Sequence, residues 1–312
     1  MKETGKILLL LAVLLCAACE KPIESDAEAS GTVTNENGDK VIPEGTPNTK
    51  KFTFTLKGDF SDDWKPVTKA PRRAAGYLQA DGKDMTDVWV LDYMDGKLVQ
   101  QIHQADNTAD DFGKPVLNLA YGSHHVYFIA SRGSSATINT DAHTITFGKV
   151  YDTFWKDYSV EVKNTSNGNR AVTLDPVITK LRLKFTDAIS ADAATFNITP
   201  SQWYYGWDYV AGMPTNAKTD HVTTIEIPDS EKGKTDVMVN VFGFSTAEQW
   251  STDVTFNAKR ADGSIIGQAT IELVPFKANR ITEYAGKLFS SDGEQVSLSL
   301  NGDWNETYQG LW

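Results

Sequence analysis

The chain has 312 residues, with 30 basic and 41 acidic side chains and a formal net charge of −11. That acidic balance argues against a nucleic-acid backbone as partner, because phosphate binding needs clustered Lys and Arg. The only two cysteines, Cys16 and Cys19, stand in the first nineteen residues, which excludes disulfides, thiolate metal sites and a cysteine nucleophile from everything downstream.

Residues 1–6 carry Lys2 and Lys6, residues 7–15 are an almost pure Leu, Ala and Val run, and Cys16-Ala17-Ala18-Cys19 follows. A basic start, a short apolar run and small residues describe an export signal, and the run is well below the ~20 apolar residues a spanning helix needs. The cysteine placed directly after Ala17-Ala18 makes the stretch resemble a bacterial lipoprotein signal. The resemblance implies a signal peptide over 1–18, cleavage before Cys19, and acylation of Cys19. The mature chain is then expected at the outer membrane, held by lipid without spanning it. Glu20, Glu24, Asp26 and Glu28 follow the cysteine. They resemble the surface-export signals of Bacteroidetes lipoproteins, and equally fit a solvated acidic linker.

Residues 19–50 read as an acidic, flexible tether, poor in aromatics and rich in Ser, Thr, Asn, Gly and Pro, so they bury too little surface to offset ordering entropy. Within them Asn37-Gly38 suits a small hairpin. Regular structure is expected from Lys51, where Phe52, Phe54 and Leu56 alternate with polar residues. Residues 58–84 hold Pro66, Pro71, Lys69, Arg72 and Arg73 and read as a long exposed loop. From residue 85 the expectation is strand after strand. Segments 86–93 and 97–103 flank the hairpin signal Asp95-Gly96, and 116–120 is expected to pair with 124–131 around Gly122. Segments 136–147 and 158–162 complete a first set, and Asp175-Pro176 marks a boundary between units 51–175 and 176–312. The second unit is expected to hold strands near 180–186, 195–199, 203–209, 222–227, 236–244, 254–259, 265–274, 280–289 and 295–300. No window sustains a helical stripe for three turns, so the fold class is all-β, of sandwich or barrel type.

Several segments together resemble the Bacteroidales fimbrillin family of fimbrial shaft, tip and anchor subunits. They are Met85-Thr86-Asp87-Val88-Trp89-Val90-Leu91-Asp92-Tyr93 with Asp95-Gly96, Tyr121-Gly122, Val126-Tyr127-Phe128-Ile129-Ala130-Ser131, residues 180–185, and 276–289. The resemblance implies two transthyretin-like Greek-key β-sandwich domains and a place in cell-surface fimbriae. Implied partners are other fimbrial subunits joined by strand exchange, the outer membrane through the lipid on Cys19, and a host or bacterial surface receptor. Shaft subunits of the family are trimmed by an Arg-specific protease after the first strand, and Arg72-Arg73 stand in such a loop. The neighbour's donor strand needs alternating apolar residues, which Val296, Leu298 and Leu300 supply. The same three also suit a last core strand.

Trp203-Tyr204-Tyr205-Gly206-Trp207-Asp208-Tyr209 is the most conspicuous local feature. Extended, it puts Trp203, Tyr205, Trp207 and Tyr209 on one face. Such a face packs a core or stacks sugar rings, and the second reading makes the chain a monomeric glycan-binding lipoprotein. Catalysis finds little support. His124 and His125 are sequential on a strand and point to opposite faces, and no Gly-x-Ser-x-Gly elbow or phosphate loop is present. The acidic groups Asp59, Asp62, Asp63 and Asp106, Asp110, Asp111 lack EF-hand spacing. A non-enzymatic protein without a cofactor is expected.

Overall fold

In the computed structural model, residues 31–58, 76–77, 85–133, 136–290 and 307–311 are described. In chain order the strands are β1 (Val33–Thr34), β2 (Lys40–Val41), β3 (Thr49–Gly58), β4 (Gly76–Tyr77), β5 (Asp87–Met94), β6 (Lys97–Gln104), β7 (Val116–Ala120) and β8 (Gly122–Ser131). Then come β9 (Ala136–Asn139), β10 (Thr144–Phe147), β11 (Thr153–Val162), β12 (Asn169–Pro176), β13 (Ile178–Phe185), β14 (Thr195–Pro200) and β15 (Gln202–Asp208). The last are β16 (Met213–Thr219), β17 (Thr223–Glu226), β18 (Val237–Phe244), β19 (Trp250–Lys259), β20 (Ile265–Phe276), β21 (Arg280–Gly286) and β22 (Thr307–Leu311). The fold is all-β and sandwich-like. A three-residue 3-10 turn at Asp229–Glu231 is the one helical piece among the described residues.

The first sandwich is one long sheet folded over. Its order is β1-β2-β6-β5-β8-β11-β12-β3-β4, with β7 also on β3. Phe52, Phe54 and Leu56 of β3, Leu117 and Leu119 of β7, and Val172 and Leu174 of β12 form one inner face. They pack on Val88, Val90, Val126, Phe128 and Ala130 from β5 and β8. The hairpin β5–β6 turns where expected: Asp95 and Gly96 both have positive φ, 51° and 73°, the pattern of a tight two-residue turn. Residues 31–48, read as tether, carry the small hairpin β1–β2, whose loop closes through Asn35 Oδ1 accepting from the Asp39 amide at 2.8 Å.

Three departures from the sequence reading have clear causes. Segment 116–120 pairs with β3 instead of 124–131, because β8 is already flanked by β5 and β11. Residues 169–176, to which the sequence pattern assigns no strand, are β12, parallel to β3 from Asn169 to Leu174. Only Val172 and Leu174 of β12 are buried in the core, too few to make a visible alternation. Strand β16 has no fully buried residue and contains Pro214; it is an edge strand on β15, where a missing N–H is tolerated.

The second half is built from three four-stranded sheets: β16-β15-β10-β9, β18-β13-β21-β22 and β17-β14-β19-β20. Leu181, Leu183 and Phe185 of β13 face Phe196, Ile198 and Phe256 of β14 and β19, and the Phe185 and Phe196 rings stack at 4.3 Å. The hairpin β9–β10 comes from the first half of the chain, yet β10 pairs with β15 of the second. The reverse face of β5 and β8 (Trp89, Leu91, Tyr93, Tyr127, Ile129) therefore belongs to the second core.

Candidate functional site

The site begins with residues that the fold withdraws from the surface. Trp203, Tyr205, Trp207 and Tyr209 share one face as expected, but they are 0, 4, 3 and 0 % exposed. That corrects their candidacy as a glycan platform: sheet β16-β15-β10-β9 lies on β5 and β8, so the aromatic face meets protein. Trp203 Nε1 donates to Phe242 O at 2.9 Å, Tyr209 Oη lies 2.8 Å from Tyr93 Oη, and Trp155 Nε1 donates to Tyr209 O at 3.0 Å. Burial pushes the Tyr209 hydroxyl far up from its ordinary pKa. Two polar atoms in this face, Tyr205 Oη and Trp207 Nε1, have no hydrogen-bond partner among the described residues.

Two buried carboxylates sit on opposite faces of β5. Asp92 accepts from Gln100 Nε2 at 3.0 Å and lies 2.7 Å from His124 Nδ1. His124 Nε2 sits 2.9 Å from Ala120 O, so both ring nitrogens face acceptors and the doubly protonated imidazole satisfies both. Burial works against that charge, but the Asp92 hydrogen bond and charge outweigh it and raise the His124 pKa. Gln100 Oε1 in turn accepts from Ile42 N at 3.1 Å, and Asn118 Nδ2 donates to Ile42 O at 2.8 Å. The second carboxylate, Asp87, lies 2.8 Å from His103 Nε2 and accepts from Thr86 Oγ1 at 2.8 Å. The His103 amide donates to Asp39 Oδ1 at 2.9 Å. Residues 31–48 are thus clamped at Asp39 and Ile42. His125, by contrast, points outward to Asp157. Sequence reading found the opposed histidines but not the carboxylates, which lie 32 and 16 positions from their partners.

A third cluster lies on the outer face of β13. Lys180 and Arg182, which alternate with Leu181, Leu183 and Phe185, are each 4 % exposed. Arg182 donates to Glu283 Oε2 at 2.9 Å and to Asn240 Oδ1 at 3.2 Å. Burial, reinforced by the Arg182 charge, lowers the Lys180 pKa to about 8. Asp152, paired with Arg132 at 3.0 Å, is raised by burial. Among the described residues no three His, Cys, Asp or Glu side chains gather as a metal site.

The C-terminal β22 runs parallel to β21, Ile281 opposite Thr307 through Ala285 opposite Leu311, at the end of its sheet. At the other end of that sheet β18 pairs with β13 alone among the described residues, and β17 in the facing sheet pairs with β14 alone among them. Cys19, Arg72, Arg73, Val296, Leu298 and Leu300 lie outside the described residues.

These edges and saturated clusters can hold strands and lock elements together. The chain is similar to several solved structures. One is the fimbrial anchor protein Mfa2 from Porphyromonas gingivalis, 9 % identical, TM-score 0.40, with 71 % of this chain and 82 % of that one covered. Another is the tip fimbrial protein Mfa3 of the same organism with a C-terminal truncation, 10 % identical, TM-score 0.36, covering 72 % and 82 %. A third, from Bacteroides ovatus, is described as a putative adhesin, 13 % identical, TM-score 0.46, covering 71 % and 77 %. No family model and no curated protein matches the chain.

Proposed function

We propose that the chain is a cell-surface fimbrial subunit or fimbria-associated adhesin, anchored in the outer membrane by lipid on Cys19 and joined to its neighbours by β-strand exchange. It acts as a structural protein, with residues 51–175 and 176–312 as its two sandwich units. The observation that carries this reading is the position of β3. It lies between β12 and β7, its partners are distant in sequence, and Phe52, Phe54 and Leu56 are at most 1 % exposed. Vacating it would unpair β12 and β7 and open the core beneath. Any strand with three alternating apolar residues fits that vacancy, and Val296-Ser297-Leu298-Ser299-Leu300 repeats the Phe52-Thr53-Phe54-Thr55-Leu56 spacing. Arg72-Arg73 follow β3 in sequence, where cleavage would free it. The names of the similar structures agree with this role.

Mass spectrometry of the mature N-terminus, on protein sheared from cells and run unboiled, tests it. A chain starting at Ala74 within a high-mass ladder is the trimmed-shaft outcome. Acylated Cys19 within a ladder gives an anchor or untrimmed component. Acylated Cys19 without any ladder overturns strand exchange.

A further inference from the structure

Two edge strands flank one cleft. Strands β17 and β18 border the same open side of the second sandwich. A cleft of about 400 Å³ is lined by Thr224 and Ile225 of β17, by Met238 and Asn240 of β18, and by Tyr205 and Lys149. A second, of about 350 Å³, shares Ile225, Met238 and Val239 with it and continues to Glu226, Glu231 and Asp236. The two form one groove with an apolar floor and a wall of β-edge on each side.

The ladder geometry says which main-chain groups face it. In an antiparallel pair, alternate residues point both N–H and C=O at the partner or both away from it. Ser245 N donates to Val177 O, so in the β13–β18 register the residues opposite Lys184 and Arg182 turn their groups away from β13. Those residues are Met238 and Asn240. Phe242, on the same parity, accepts from Trp203 on that outer side, which confirms the direction. Likewise Ile227 N donates to Ala194 O, which turns Thr224 and Glu226 away from β14. Met238 is 43 % exposed, a large apolar side chain at the rim. Tyr205, 4 % exposed, lines the cleft with its neighbour Thr223. The charges differ along the length. Lys149 lines one end, where Lys218 Nζ stands 4.5 Å from the Tyr205 ring centroid. Glu226 lines the other, beside Glu231, which is paired with Lys234 at 3.1 Å.

We propose that the β17–β18 groove binds an extended peptide segment of a partner protein, which adds as a strand to the β18 edge. The segment carries apolar residues at alternate positions, an acidic residue at the Lys149 end and a basic residue at the Glu226 end. Main-chain pairing supplies the affinity, alternate side chains fill the floor, and the opposed charges fix the direction. This site is separate from the β3 position and stands whether or not strand exchange occurs.

The test uses the intact chain in detergent and a fluorescent nonapeptide of alternating valine and threonine, with lysine at one end and aspartates at the other. Saturable binding is expected, weakened roughly tenfold by Met238→Pro, which removes one edge N–H while sparing the β13 ladder. Exchanging the charged ends of the peptide is expected to weaken binding, and Lys149→Glu to narrow that preference. Should Met238→Pro fail to fold, N-methylation of the peptide on its pairing edge gives the same readout. Binding indifferent to N-methylation, or no binding above a composition-matched scrambled peptide, overturns the proposal. So does concentration-dependent self-association in sedimentation that the Met238 or Lys149 variant abolishes, which would assign the groove to a second copy.

Discussion

His124 and His125 are neighbours in sequence and opposite in environment, one fully buried against Asp92 and the other half exposed beside Asp157. The raised pKa of His124 makes its contribution pH-dependent. Its stabilisation is fully present below the unfolded histidine value of 6.5 and is lost as pH rises through the higher folded value. Thermal unfolding from pH 5 to 9 should therefore show His124→Gln closest to wild type at the alkaline end. Asp92→Asn strands a buried imidazolium and is expected to cost about 3–5 kcal/mol near pH 6, read by chemical denaturation. Trp203 is fully buried. A Cβ on Gly243 would meet its indole at 2.4 Å, so Gly243→Ala should cost about 1–3 kcal/mol through overpacking. Trp203→Ala should cost about 3–5 kcal/mol through the void it leaves.

At the scale of elements, a strand with two buried faces tells least about what it lies against. Strand β5 alternates between cores, Val88 and Val90 in one and Trp89, Leu91 and Tyr93 in the other. A strand buried on both faces loses its polar half, and its sequence tells that it is buried but not by what. The parallel β3–β12 joint was hidden because β12 contributes so little apolar pattern. Its entry depends on Gly168, whose carbonyl accepts from Thr53 N at 2.7 Å and where a Cβ would fall 2.1 Å from Lys51 O. Gly168→Ala should push the two strands apart. Hydrogen exchange is the measurement: protection should fall at Thr53 and its neighbours in β3, while β13 and β14 keep theirs.

For the whole molecule, the hairpin β9–β10 joins the two halves. Residues 31–312 form one compact unit, and Ile145 and Phe147 of the hairpin's second strand lie in the core that also contains β13, β14 and β19. Calorimetry of the mature chain should accordingly give one unfolding transition. Ile145→Asp, a buried charge without a partner, should lower it as a whole. Two resolved transitions, with only the later one shifted, would show that the halves unfold independently.

The sequence by itself determined the all-β class, most strand positions, the Asp95-Gly96 turn and the opposed histidines, because period-2 alternation and turn chemistry are local. It also supplied the residues that suggest export, trimming and strand donation. Only the tertiary structure decided what each strand lies against: that 116–120 joins β3, that Lys180 and Arg182 are covered, and that the aromatic face of β15 is interior. Those outcomes depend on partners tens of residues away, and a strand's own pattern shows which face is apolar without showing whether protein or solvent covers it.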